Sequence, residues 1–192
     1  MNRREAISSV ALLLGGTIIG ADAFLSGCKT ATKDAGVSFS ATNVSFLNEV
    51  AETILPTTAS SPGAKAAKVG EFMTVIVRDC YEEKDQKIFM DGLKKLEEAS
   101  KTKNSKSFME STAAQRHDLL VALDNEQKEY QKTKKKEDPT HYFRMMKELT
   151  LWGYFTSEEG ATKALRYVAV PGKYEGCIPY KKGDKAWATE RR

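Results

Sequence analysis

From Val44 to Tyr167 the apolar side chains return every three or four residues, and no long stretch alternates apolar with polar. That rhythm lines one face of a helix, whereas a half-buried strand needs a period of two. The chain is therefore expected to be all-α, a bundle of about five or six helices with short loops and an irregular C-terminal tail. Phe46, Leu47, Val50, Ala51, Ile54 and Leu55 share a first face, with Asn43 as cap and Pro56 as stop. A loop over 56–65 follows. A second helix over 66–81 turns Val69, Phe72, Met73, Ile76, Val77 and Cys80 inward, and a third over 83–100 turns in Ile88, Phe89, Leu93 and Leu96. Residues 101–106 read as a polar break. Thr112 and Gln115 have capping-box spacing and open a helix that buries Leu119, Leu120 and Leu123. Asp138-Pro139 pairs a capping residue with a first-turn proline ahead of Phe143, Met146 and Leu149. A last helix is expected over 157–167, ended by Pro171 and Gly172.

The N-terminus has a different character. Arg3 and Arg4 precede a run from Ile7 to Ala21 that is apolar or small and is interrupted by Asp22. Its 15 residues fall short of the ~20 that cross a bilayer as a helix, so it reads as the apolar region of an export signal. The arginine pair resembles the twin-arginine signal for export of folded proteins, although Ala6 stands where Phe is usual. Two arginines also suit an ordinary basic leader. Leu25-Ser26-Gly27-Cys28 resembles a bacterial lipobox, which makes Cys28 a lipid anchor instead of a ligand or nucleophile. Acyl chains contribute ~0.8 kcal/mol per buried CH₂, and stable anchoring needs more than one chain. The organisation expected is a signal peptide over 1–27, a flexible tether over 28–43 and a helical domain over 44–192. Without the signal, roughly 165 residues remain, enough to bury roughly 70% of the unfolded chain's surface without metal or disulfide staples. The formal charge of +4 is unchanged by that removal, because Arg3 and Arg4 leave with Glu5 and Asp22. So small and scattered a charge does not point to nucleic acid.

Cys80 and Cys177 remain, outside the cytosol, where a disulfide between them can persist; two buried free thiols fit as well, because Cys80 falls on an apolar helical face. Lys132, Lys134, Lys135 and Lys136 suit either anionic headgroups or a solvated helix end. No catalytic residues emerge. The chain has no Walker loop, no dinucleotide loop after a strand, no C-x-x-C-H and no H-E-x-x-H, so no cofactor or metal of its own is expected. His117 and His141 fall on different helices and read as surface or helix-end histidines. Glu82, Glu83, Glu97 and Glu98 are interspersed with lysines as solubilising charge, unlike a glycosidase pair facing across a cleft. The densest unusual segment runs from Leu149 to Gly160. In it Trp152, Gly153, Tyr154 and Phe155 fit both a tight helix junction and a partner-binding anchor.

Four ordered stretches, Glu52 to Thr58 followed by Pro62 to Ala67, Phe89 to Leu96, Leu149 to Gly160 and Val170 to Cys177, resemble the small, non-flavin subunit of the gluconate 2-dehydrogenase family. The resemblance implies a partner of a periplasmic FAD-dependent sugar or sugar-acid dehydrogenase. The large subunit holds the FAD and passes electrons to a cytochrome, which carries haem. A flavin is loaded in the cytoplasm, so a large subunit without a leader needs a folded carrier to cross the membrane. This chain would then be that carrier and afterwards a tether, facing the periplasm through Cys28. The alternative from another class is an independent envelope lipoprotein that binds a saccharide or scaffolds other proteins.

Overall fold

A computed structural model describes residues 37–170, 172 and 176–188. Arg3, Arg4, the apolar run, Cys28 and the tether as far as residue 36 lie outside the described residues, as do Pro171 and residues 173–175. The elements in order are α1 Ala41–Ile54, α2 Val69–Cys80, α3 Glu83–Asn104, α4 Ala113–Thr133, α5 Tyr142–Thr156 and a π-helical turn Gly160–Ala164. Among the described residues no strand forms, and a single parallel bridge joins Arg166 to Trp187. The all-α expectation holds.

The central helix is α5, which touches all four other α-helices. Its sequence requires this position, because Tyr142, Phe143, Met145, Met146, Leu149, Thr150, Gly153 and Tyr154 are all buried and form a stripe too wide for one neighbour to cover. The hydroxyl of Thr150, polar and fully buried, donates to the Met146 carbonyl at 2.8 Å. Leu47, Val50 and Ala51 of α1, Val69, Met73 and Val77 of α2, Phe89, Leu93 and Leu96 of α3, and Leu119, Leu120 and Leu123 of α4 complete the core. Each large apolar side chain so buried contributes ~1.5–3 kcal/mol.

Helix ends depart from the expectations where side chains compete for backbone groups. Ser40, not Asn43, caps α1: its hydroxyl accepts from the Asn43 N–H at 3.2 Å, and the Asn43 Oδ1 accepts from the Ser40 N–H at 3.0 Å. Order thus reaches back past Val44, and Phe39 sets its ring edge-on to Phe89 at 6.2 Å. At the start of α2, Lys68 is left-handed (φ 52°), which delays the helix to Val69. Asn48 of α1 supplies the missing cap, accepting from the Gly70 N–H at 2.9 Å and donating to Glu71 at 2.9 Å. The helix α3 continues through the expected break to Asn104, with Lys101 and Lys103 favourable in its last turn. Phe108, in the connection that follows, is fully buried against Phe46 at 5.2 Å, and Glu97 accepts its backbone N–H at 3.0 Å.

The Thr112–Gln115 capping box forms as expected. Asp138-Pro139 does not start α5. The Asp138 carboxylate instead accepts from the Lys135 N–H at 2.8 Å, and His141 caps α5 through Nδ1, which accepts from Phe143 N–H at 3.2 Å. In place of a regular helix over 157–167 there is a π-helical turn ending at Ala164. Cys80 is the last residue of α2 and is exposed, off the apolar face expected for it. Cys177 is also exposed, and the two thiols stand free, neither bonded to each other nor buried.

Two ion clusters tie helices together. Glu49 accepts from Lys65 at 2.8 Å and from Arg116, joining α1 to the 56–65 loop and to α4. Burial pushes its carboxyl up, but the hydrogen bonds from Lys65 and Arg116 outweigh burial and hold it below the usual carboxylate range. Burial likewise pushes Asp124 up, yet hydrogen bonds from Lys128, Lys147 and Gln127 hold it at about 2. The Lys147 bond, at 2.6 Å, pins α4 to α5.

Candidate partner interface

The segment Trp152 to Phe155 divides by helical rotation. Gly153 and Tyr154 turn inward and are buried. A Cβ on Gly153 would stand 2.6 Å from Cδ1 of Phe72, so the absent side chain is what lets α5 approach α2. The Tyr154 hydroxyl donates to the Pro62 carbonyl at 2.5 Å and so fastens the 56–65 loop to α5. Leu151, Trp152 and Phe155 turn outward, Trp152 being 52% exposed and Phe155 39%. Phe72 supports the Trp152 ring from α2, edge to face at 5.3 Å, and Val75 lies exposed one turn further along α2. Gly153 and Tyr154 thus pack at the helix junction, while Trp152 and Phe155 stay exposed. The sequence reading missed Val75 and Leu151 as surface residues. The three- and four-residue spacings of Leu151, Phe155 and Trp152 signal a shared outer face.

The neighbouring loop is built around Glu52. Its Oε1 accepts from the N–H and hydroxyl of Thr57, both at 2.9 Å, and its Oε2 from the Lys65 N–H at 2.8 Å. The Thr57 hydroxyl in turn accepts from the Gly63 N–H at 3.0 Å. A Cβ on Gly63 would lie 2.3 Å from both carboxylate oxygens, so Glu52 can enter this turn only over a glycine. These bonds fix an exposed loop beside the aromatic face.

The remaining polar candidates do not converge. His117 is exposed on α4 beside a shallow cleft with Glu49, Glu52 and Arg116, whereas His141 lines another with Asp91, Lys95, Glu126 and Tyr130. Glu82 pairs with Lys84 at 2.8 Å as surface charge does, whereas half-buried Glu97 reaches Lys101 at 3.6 Å while it holds the Phe108 N–H. Among the described residues no group of three or more His, Cys, Asp or Glu is placed to hold a metal ion, and no helix is long and apolar enough to cross a membrane.

The family model described as gluconate 2-dehydrogenase subunit 3 matches residues 41–172, more than two thirds of the chain. The chain belongs to this family. The match opens on the first residue of α1 and spans all five α-helices, the Glu52 loop and the aromatic face. No curated protein and no solved structure matches the chain. As its name states, the subunit 3 family is one component of a larger gluconate 2-dehydrogenase assembly.

Proposed function

We propose that this chain is the non-catalytic small subunit of a periplasmic, FAD-dependent sugar or sugar-acid dehydrogenase of the gluconate type, and that it assists export, stability and membrane tethering of the flavoprotein subunit. FAD resides in that large subunit, which passes electrons to a c-type cytochrome bearing haem. Arg3 and Arg4 direct export of the folded pair, and Cys28 carries the lipid that leashes it to the membrane. One observation carries the partner reading. Leu151, Trp152, Phe155 and Val75 stand exposed on adjoining helices, and such apolar faces on a soluble domain mark interaction surfaces. Trp and Tyr concentrate in binding hot spots because they bury large areas with few rotatable bonds.

Co-expression tests the role as carrier. A signal-less flavoprotein subunit is produced with this chain, and then with Arg3→Lys and Arg4→Lys together. The paired substitution is expected to leave the flavin enzyme in the cytoplasm, and unchanged periplasmic activity refutes the proposal. Pull-down gives an independent readout. A yellow co-purifying protein is expected, whereas a colourless monomer that binds saccharide supports the envelope-lipoprotein alternative.

A further inference from the structure

At the first turn of α5 a cleft of about 530 Å³ opens between α3, α4 and the connection over 139–142. That volume falls within the ~300–1,000 Å³ of small-molecule sites. Its walls follow from helical spacing. Ile88, Asp91, Lys95 and Ala99 recur every three or four residues on α3, and Leu123, Glu126 and Tyr130 do so on α4, so each helix lines the cleft with a stripe that mixes charge and apolar surface. The third wall is held in place. The Tyr130 hydroxyl donates to the Pro139 carbonyl at 2.8 Å, and Tyr142 settles against α3 over Gly92, where a Cβ would stand 2.6 Å from its own Cβ. The His141 ring stacks on Tyr142 at 4.7 Å and lies 5.8 Å from the Tyr130 ring. Because Nδ1 of His141 accepts from the Phe143 N–H, Nε2 carries the ring hydrogen, 3.4 Å from the Glu126 Oε1. From α3 the Lys95 ammonium reaches to 5.9 Å from the centre of the Tyr142 ring, and Lys94 steadies Asp91 at 3.5 Å.

This lining selects a ligand by its hydrogen-bonding groups. A purely apolar guest would strip water from Asp91, Lys95 and Glu126 and give nothing back. An anion would meet two carboxylates, and a cation would meet Lys95. Donors on Lys95 and Thr140, acceptors on Asp91 and Glu126, and the rings of Tyr130 and His141 together match a neutral molecule that carries several hydroxyls on a carbon framework, since each hydroxyl both donates and accepts. We propose that the cleft is a saccharide-binding site, taking a neutral mono- or disaccharide with a C–H face against the aromatic rings and its hydroxyls toward Asp91, Lys95 and Glu126. This goes beyond the partner reading and does not rest on it. The cleft and the Trp152–Phe155 face lie at opposite ends of α5, so one chain can carry both.

The test follows amide NMR shifts of the isotope-labelled full-length chain, without a partner, as it is titrated with glucose and maltose and, as charged counterparts, with gluconate and spermidine. Maltose is expected to shift residues 91–95, 126–130 and 139–142 saturably and to bind more tightly than either charged compound. Lys95→Met and Glu126→Gln should each weaken it ~tenfold, the loss of one hydrogen bond to a charged group, with an unchanged unfolding midpoint. Trp152→Ala should bind maltose as wild type does. Should either cleft variant fold poorly, Thr140→Val replaces it, with a loss of about threefold. The absence of a saturable shift with either sugar, tighter binding of gluconate or spermidine, or shifts that survive Lys95→Met and Glu126→Gln overturns the site. The partner reading is tested by recovery of a yellow complex and this site by sugar binding to the chain alone, so either can fail without the other.

Discussion

Trp152 and Tyr154 are two residues apart on α5, and the structure predicts opposite consequences for truncating them. Trp152 keeps 52% of its surface exposed, and its contact with Phe72 is an edge-to-face pair at 5.3 Å. Such a pair is worth ~0.5–1.5 kcal/mol, so Trp152→Ala should cost the fold about 1 kcal/mol. The half of the ring left open to solvent contributes nothing to folding and is available to a partner. If it is buried there as a hot spot, its loss costs ~2 kcal/mol or more of binding, roughly 30-fold in Kd. Tyr154 is only 4% exposed and offers a partner almost no surface. Tyr154→Phe removes its bond to Pro62, costing stability ~1 kcal/mol, and changes affinity only through the loop, by about threefold or less. Urea unfolding and calorimetric titration against the flavoprotein subunit separate the two effects. The reasoning is refuted if Trp152→Ala binds within threefold of wild type, or if Tyr154→Phe loses as much affinity as Trp152→Ala.

Three further substitutions probe the frame that holds this face. Glu52→Gln places an amide donor where the carboxylate now accepts from Thr57 and Lys65, so a loss of ~2 kcal/mol and faster amide exchange at those two residues are expected. Asn48→Ala uncaps α2, an expected loss of ~1 kcal/mol in urea unfolding, with exchange increasing first at Gly70. Asp124→Asn tests pH dependence. Its carboxyl sits at about 2 against an ordinary 3.8, so it stabilises the fold fully above pH 4 and loses that contribution as the pH falls toward 2. The full gap corresponds to ~2 kcal/mol, but screening by water at its open edge leaves about 1 kcal/mol. The variant should therefore be less stable than wild type at neutral pH and equal to it near pH 2; an equal deficit at both would contradict this account.

The pattern of helices was legible because each apolar face is a local matter of spacing, and the Thr112–Gln115 cap was legible because both partners lie within one turn. Apart from the Ser40–Asn43 box, where Asn stands in place of the usual Glu or Gln, the ends that sequence reasoning missed depend on distant or competing partners. Nothing near Lys68 indicates that Asn48, 22 residues before Gly70, will cap α2. Asp138 could cap α5 or close the turn after α4, and the Lys135 N–H captures it. Phe108 escaped notice because a lone aromatic in a polar stretch has no period, and its burial follows from the meeting of α1 and α3 around it. Cys80 continues an apolar row by count, but it is the last residue of α2 and is exposed. The aromatic segment was legible as a feature and not as an assignment, since a run of consecutive residues must place some members on each side of a helix.

That division bears on what the face can do. Trp152 and Phe155 flank Gly153 and Tyr154, which are locked by Phe72 and Pro62, so the outer side chains are set on a helix clamped on its inner side. The adjoining loop is exposed in sequence terms, being rich in Ser, Thr and Pro, yet Glu52 and Thr57 hold it with a network of bonds that a free loop would not have. If a partner covers the face as proposed, rings held in this way lower the entropy lost when two preformed protein surfaces associate.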